Sequence, residues 1–585
     1  MVVTSTLPPI DIPNANVVDY VLGECRRLRG DEHPLFVDSS TGDSLTIGQV
    51  HSMTYRFSAG LRNKCKLRAG DTVAIVARNS IHFPIAAYGV VAMGAICTPA
   101  NPSYTPTELA HQLADSQCKA VIVGDESRDT VAQALELVPQ RVEHVLMMDE
   151  AKTMCSGSIF EIIGSADEAA DGQSPPSLPD VGAAPAYLCY SSGTTGKPKG
   201  VLLTHRNMVA NAMQINGIKQ LDDKSHHSLA ADGSETFLGL APFCHAYGLS
   251  YVLHSSVSLG GKIIIMPSYS FTKFLCAVSD YGITFGYLVP PIVCALSKDP
   301  RVDGHDLSSM HTILSGGAAL SPSLIETTEE RLRGVRVIQG YGMTEMSPAI
   351  TMLATCHRNP SSIGVLMPNC EAKVVDEDNS ELKDPTEPGE LCFKGPNVMP
   401  GYLNNQAATD GIFDTDGFLH TGDIGYIDAD GFFYITDRKK EIIKYKGFQV
   451  SPSELESILA EHPDIEDAAV MSVYDDNQAT EIPRAYFVLA KQPDAEDASG
   501  GGRSSSVCSS GADSGYMPGV VEDTVRAQAV VDWLHERVAR YKRLRGGFVL
   551  IDHIPRSPAG KIIRKSLRDM EHVTSRESST VSSTA

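Results

Sequence analysis

One stretch constrains this chain more than any other: Ser191-Ser192-Gly193-Thr194-Thr195-Gly196-Lys197-Pro198-Lys199-Gly200, a run of hydroxyls and glycines with two lysines. Glycine frees the backbone to turn its N–H groups inward, and the lysines offset negative charge, so the stretch suits a loop around a polyphosphate. An apolar segment, Ala186–Tyr190, precedes it, and Val201-Leu202-Leu203-Thr204-His205 follows. The loop is therefore expected to join two strands. A Walker A loop needs Gly-x-x-x-x-Gly-Lys-Ser/Thr; here Gly193 and Gly196 are too close and Pro198 displaces the hydroxyl, which disfavours a kinase or P-loop ATPase. A solvated Gly/Ser linker is disfavoured too, because linkers seldom lie between two apolar β-like runs.

Around this loop, 585 residues are too many for one core, and two or more domains are expected. A net charge of -22 argues against nucleic acid or an anionic membrane as a general partner, since both would repel it. The 13 cysteines are scattered without a Cys-x-x-Cys pair, which points to reduced thiols rather than a disulfide framework or zinc site. The N-terminal residues lack a secretory pattern, no apolar run is long enough to span a bilayer, and the last residues lack Ser-Lys-Leu. A soluble, cytoplasmic protein is expected. Residues 15–150 alternate strand patterns, such as Thr72–Ala77 and Ala120–Gly124, with a helix pattern rich in small residues at Ile85–Ala92. That alternation predicts an α/β fold with a mainly parallel sheet and helices on its faces.

Further motifs follow in order. Pro242-Phe243-Cys244-His245-Ala246-Tyr247 places a histidine among aromatics, which by composition alone reads first as a core residue. Ile313–Ser315 runs into Gly316-Gly317, as a tight turn or as backbone approaching a flat ligand. In Gln339-Gly340-Tyr341-Gly342-Met343-Thr344-Glu345 the glycines free the backbone around a ring able to stack on a purine. Thr344 and Glu345 offer oxygen ligands for a hard cation such as Mg²⁺. Leu419-His420-Thr421-Gly422-Asp423 ends in a carboxylate, a group able to accept from two hydroxyls. Asp430-Gly431 centres a β-hairpin, and Asp437–Lys444 is densely charged, like a solvated connector. Ser451-Pro452-Ser453-Glu454 opens a helix with a Ser/Glu capping box. From about 494 to 522 the composition shifts to Gly, Ser and Ala, a flexible insertion without assigned function. A helix is expected around Trp533, then a basic turn, Pro555–Lys565, and a disordered tail from 572 to 585.

Together these stretches resemble the adenylate-forming (ANL) superfamily, and within it the acyl-CoA synthetases of the 4-coumarate:CoA ligase kind, over most of the chain. The resemblance implies a large N-terminal AMP-binding domain, residues 1–436, with mainly parallel sheets flanked by helices and a β-barrel-like subdomain. A small mobile α+β C-terminal lid, residues 437–571, would pivot at a hinge near 438–441, on Lys440. The implied nucleotide site comprises Ser191, Ser192, Gly193, Thr194, Thr195, Gly196, Lys197, Lys199, Gln339, Gly340, Tyr341, Thr344, Asp423, Arg438 and Lys561, with Thr344 and Glu345 on the metal. The implied acid pocket comprises His245, Ala246, Tyr247, Gly316, Gly317, Gly340, Ser347 and Pro348. Lys561, Lys444, Gln449 and His245 are implied as catalytic, and Lys446 and Gly447 as facing CoA.

The implied activity is ATP-dependent, Mg²⁺-assisted ligation of a small carboxylic acid to CoA through an acyl-adenylate, the acid being an aryl-propenoate, an aryl-acetate or a medium-chain fatty acid. Two other readings stay open: an acyl-AMP ligase that hands the adenylate to a separate carrier protein, and, remotely, a non-catalytic nucleotide-binding regulator. The sequence departs from the family at Ser268, where relatives often carry a lysine that serves CoA, and at Ala246 and Met346-Ser347-Pro348, which suggest a reshaped pocket.

Overall fold

Runs of valine, isoleucine and alanine that are apolar on both faces form the expected buried strands: Thr72–Val76 and Ala120–Val123 have every residue buried, as strands covered on both faces require. The computed structural model describes residues 1–140, 142–149, 157–163, 180–191, 198–222, 235–354, 356, 359–438, 441–445, 448–475, 480–490, 518–557, 560–564 and 566–568. The chain folds as two compact units. The larger comprises residues 1–421, 425–435 and 558–560; the smaller takes 422–424, 436–557 and the described residues from 561.

The larger unit is α/β, as expected. A seven-stranded sheet runs Gly401–Tyr402, Lys199–Thr204, Pro185–Ser191, Ile96–Ala100, Thr72–Val76, Ala120–Val123, His144–Met147. Its pairs from Pro185–Ser191 onward are parallel, and the other two are antiparallel. In a nine-stranded sheet, the consecutive strands Arg336–Gly342, Thr312–Ser315, Phe285–Leu288, Thr236–Gly239, Lys262–Ile265 and Pro34–Asp38 are all parallel. A five-stranded sheet, Val3–Thr4, Glu371–Val375, Gly389–Lys394, Leu419–Ile427 and Phe433–Arg438, stands where a β-barrel-like subdomain is expected. A bridge between Val365 and Phe432 links it to an outer strand of the nine-stranded sheet.

Helices cover the parallel strands by their apolar faces. Phe83–Ala92 is buried at every residue, and its glycine lets the neighbouring helix Ile47–Asn63 approach closely. A β-carbon on Gly89 would lie 2.5 Å from the Phe57 ring and 3.2 Å from the Thr54 carbonyl oxygen.

The smaller unit is α+β. Ile465–Asp475 and Thr480–Leu489 pair antiparallel, Phe548–Leu550 joins parallel, and the helices Pro452–Ala460 and Pro518–Arg537 share their apolar core. Ser451 caps the first of these helices by accepting from the Glu454 amide, with Pro452 at the helix start. The expected capping box is only half formed, because the Glu454 carboxylate instead pairs with Lys542 Nζ at 2.6 Å. The helix around Trp533 is present; the Gly/Ser insertion before Pro518 and the expected tail lie outside the described residues.

Gly89→Leu is expected to destabilise the larger unit by about 1–3 kcal/mol, the usual scale of overpacking. A lowered urea midpoint checks this; an unchanged midpoint would contradict the close approach of the two helices.

Candidate active site

The strands on either side of the Gly/Ser-rich stretch pair antiparallel. Pro185–Ser191 pairs with Lys199–Thr204, so Ser191 and Lys199 face each other at its mouth. Ser192, Gly193, Thr194, Thr195, Gly196 and Lys197 lie outside the described residues. Both feet of the hairpin are fixed by side chains from distant parts of the sequence. Tyr190 donates to Asp115 at 2.7 Å, and His111 Nε2 lies 3.1 Å from the Pro198 carbonyl oxygen. Ser191 Oγ donates to Glu345 Oε1 at 2.9 Å, and Tyr402 donates to the same oxygen at 2.9 Å. Lys199 Nζ sits 4.4 Å from the centre of the Tyr402 ring.

The structure thus joins Ser191, at the end of the strand before the Gly/Ser-rich stretch, to the Tyr-Gly-x-Thr-Glu segment. Strand Arg336–Gly342 delivers Gly340 and Tyr341, and a tight helical turn, Thr344–Met346, carries the two oxygen-bearing residues. Glu345 is 5% exposed, and its carboxylate has only hydroxyl partners among the described residues, with no ion pair. A buried carboxylate without a cation invites one. One carboxylate and one hydroxyl fit Mg²⁺, which commonly takes a few protein oxygens and completes its shell with substrate phosphate and water. Among the described residues no group of three or more His, Cys, Asp or Glu could enclose a metal, so an all-protein metal cage is not formed there.

On the side anticipated for the acid, Tyr247 lies at the carboxyl ends of the parallel strands, where open α/β sheets bind their ligands. Its hydroxyl donates to the carbonyls of Leu314 at 3.0 Å and Leu288 at 3.3 Å. Gly316 makes room for the ring: a β-carbon there would be 3.2 Å from Tyr247 Cζ. Gly340 likewise faces the Tyr251 hydroxyl, 3.3 Å from a β-carbon built there. Tyr251 belongs to a π-helical stretch, Gly248–Ser256, that follows Ala246 and Tyr247 directly. The rings of Tyr247, Tyr251 and Tyr287 gather with centroids 5.1–6.2 Å apart. His245 Nε2 and Ser315 Oγ are shielded from solvent with no hydrogen-bond partner among the described residues, the condition of groups that meet a ligand or a water.

Several anticipated residues prove to brace the site. Gln339 accepts from the Leu320 amide at 2.9 Å and donates to the Pro360 carbonyl at 3.0 Å, so its amide fixes the loop after the glycine turn. Ser347 is fully buried; its hydroxyl donates to the Asn397 carbonyl at 2.8 Å, while its own carbonyl accepts from Ser250 Oγ at 2.6 Å. Pro348 and Ala246 are buried, and Gly317 turns at a φ of 88°. Tyr402 and Tyr251 went unrecognised in the sequence, since nothing local marks a tyrosine that meets a residue tens of positions away.

In the smaller unit, Arg438 Nε pairs with Asp423 Oδ1 at 2.9 Å, bringing together two residues anticipated at the nucleotide. Lys444 and Gln449 are register partners in a hairpin whose turn, with Lys446 and Gly447, lies outside the described residues, as does Lys440. Lys561 follows Gly560, which adopts a left-handed φ of 80°. Its amide donates to Ser557 Oγ at 3.2 Å and its carbonyl accepts from the Ser557 amide at 2.7 Å.

Comparison with known proteins decides the family. A model described as AMP-binding enzyme matches residues 26–403, and its C-terminal domain model matches residues 454–501. The chain belongs to the AMP-binding enzyme family. This AMP-binding enzyme is 34% identical over 582 residues to probable 4-coumarate--CoA ligase 2 of Dictyostelium discoideum, covering 97% of each chain. It is 35% identical to 4-coumarate--CoA ligase 5 of Oryza sativa subsp. japonica, covering 96% of each. Full-length likeness of this degree makes it an enzyme of the AMP-forming acyl-CoA synthetase type. Its fold matches the anthranilate CoA ligase AuaEII in complex with anthranoyl-AMP, at a TM-score of 0.78 and 24% identity over 96% of this chain and 98% of that one. It also matches the o-succinylbenzoate CoA synthetase MenE from Bacillus subtilis in complex with OSB-AMP, at 0.72 and 26% over 94% and 97%. No helix among the described residues is long and apolar enough to cross a membrane.

Burial holds three imidazoles of the larger unit neutral. His205 and His245 are pushed down to about 4 and His254 to about 3, from an ordinary 6.5. Between those values and 6.5 the unfolded chain binds protons that the fold excludes, so these groups make stability rise with pH across the window and fall as pH drops through it. His254, which shares a hydrogen bond of 3.0 Å with Tyr187, tests this. His254→Gln is expected to lose less stability than the parent between pH 7 and pH 4.5, read by urea unfolding at each pH.

Proposed function

We propose that this AMP-binding enzyme ligates an aryl carboxylic acid to CoA. The acid carboxylate attacks the α-phosphorus of ATP, the bond to the β-phosphate oxygen breaks, and acyl-adenylate and pyrophosphate result. The CoA thiol then attacks the acyl carbonyl, loses its proton and expels AMP. The observation that carries this reading is the bond from Ser191 Oγ to Glu345 Oε1, which brings the phosphate-loop hairpin against the candidate cation ligand. Such a transfer needs positioned charge more than covalent catalysis.

In this reading the loop from Ser191 to Gly200 holds the phosphates, and Tyr341 stacks on the adenine. Asp423 and Arg438 hold the ribose. Thr344 and Glu345 hold Mg²⁺, which supplies charge neutralisation on the phosphate oxygens. His245 meets the acid carboxylate as a neutral imidazole, kept so by burial that pushes it down to about 4. Lys561 supplies a cation for the α-phosphate, and Lys444, Gln449, Lys446 and Gly447 serve the thiol step. An aryl acid is favoured over a fatty acid by the three tyrosine rings beside Gly316 and Gly340, which offer edges and faces to a flat ring. The printed names of the full-length relatives, 4-coumarate--CoA ligases, favour the same class and favour CoA over a carrier protein as acceptor.

The test is AMP release from ATP with a panel of aryl and alkyl acids, with and without CoA. Aryl acids are expected to support CoA-dependent release and thioester formation; release that ignores CoA but needs a carrier protein would overturn the acceptor. Lys561→Ala is expected to lose adenylate formation by about 10² or more, the scale of one transition-state electrostatic donor, yet still convert a supplied acyl-adenylate to thioester. Glu345→Gln is expected to raise the Mg²⁺ concentration needed for half-maximal rate; an unchanged requirement would remove Glu345 from the metal.

A further inference from the structure

Three residues beyond Lys561, Arg564 reaches three separate segments of the smaller unit. Its guanidinium pairs through Nη1 with Glu441 Oε2 at 2.8 Å and through Nη2 with Glu456 Oε1 at 2.6 Å, while Nε donates to the Val470 carbonyl at 3.3 Å. Glu456 Oε1 also accepts from the Val470 amide at 2.8 Å, so helix Pro452–Ala460 and strand Ile465–Asp475 meet at this guanidinium. Side-chain exposure is 13% at Arg564, 16% at Glu456 and 19% at Glu441, which makes these pairs much less screened than surface ones. Burial pushes Glu456 up to about 7, against the opposing pull of Arg564, so the guanidinium favours its ionised form near neutral pH.

The second arm matters most for function. Glu441 directly follows Lys440, the anticipated pivot, and its amide donates to the Arg438 carbonyl at 2.9 Å, the residue whose side chain holds Asp423. We propose that Arg564 is a positioning residue for Lys561: by gripping Glu441 and Glu456 at once, it fixes the turn bearing the lysine to the segment that leaves the hinge. Rotation at Lys440 then carries Lys561 along with Glu441 as one body. Arginine suits this because its planar fork can span two carboxylates, which an ammonium cannot do with fixed geometry. The inference rests on the reading of Lys561 as the adenylation lysine.

The test separates the two half-reactions in the full-length enzyme. Glu441→Ala cuts only the arm toward the hinge and leaves the buried Arg564–Glu456 pair intact, so it avoids the unpaired buried charge that Arg564→Ala would create. It is expected to slow adenylate formation by about tenfold or more, with KM for ATP changed less than about twofold and a supplied acyl-adenylate converted near the parent rate. Glu441→Gln, which keeps an acceptor for the guanidinium, is expected to recover most of the loss, and Arg564→Lys to show the same split as Glu441→Ala. A merely structural role would slow both half-reactions together. Equal slowing, or adenylate formation at the parent rate in Glu441→Ala, overturns the proposal. Lys561→Ala run alongside tells the failures apart. If it shows the split and Glu441→Ala does not, only the tether is wrong; if it slows both steps equally, the lysine assignment falls and the tether with it.

Discussion

A carboxylate buried beneath the mouth of a hairpin organises the larger unit. Glu345 draws one hydroxyl from the end of a strand in the seven-stranded sheet and another from Tyr402, on that sheet's outer strand, while the turn that carries it continues from the nine-stranded sheet. Two sheets that share one hydrophobic core are thus also pinned at one oxygen atom. Removing a charge from water is unfavourable unless something compensates, and two neutral hydroxyls compensate only in part. A bound cation would relieve that shortfall, so under the proposed function the residue that pins the two sheets would also strengthen ligand binding.

The acid side follows a different logic. There the strand ends supply carbonyls, Tyr247 takes two of them, and glycine at 316 leaves the width of a ring. Two polar atoms there, His245 Nε2 and Ser315 Oγ, are shielded from solvent without a hydrogen-bond partner among the described residues. The immediate result is a histidine that burial keeps uncharged through the physiological range and that can share a hydrogen bond as a neutral imidazole.

Local pattern made much of this readable in the sequence. Apolar runs on both sides of the glycine loop announce the hairpin, and the glycines at 316 and 340 announce close approach, because both signals are carried by neighbours in the chain. What local pattern hides is pairing at long range. The motif places Gln339 in the nucleotide site but gives no sign that its side-chain amide bridges Leu320 and Pro360. It places Ser347 in the acid pocket but gives no sign that its hydroxyl donates to the Asn397 carbonyl. Tyr402 and Arg564 carry no signal at all, since a tyrosine after glycine and an arginine in a basic run look the same whether they face solvent or a buried carboxylate. The half-formed capping box at Ser451 has the same cause: Glu454 had a better partner, Lys542, far away in sequence.

The π-helical stretch from Gly248 to Ser256 has an evolutionary consequence. It adjoins the acid side through Tyr251 and is anchored through Ser250 to the Ser347 carbonyl, whereas the hairpin and Glu345 are held by a separate set of bonds. π-helical turns are rare and are frequently found at functional sites. Descendants of such a chain could remodel this one short segment while the bonds that hold the hairpin to Glu345 stay in place.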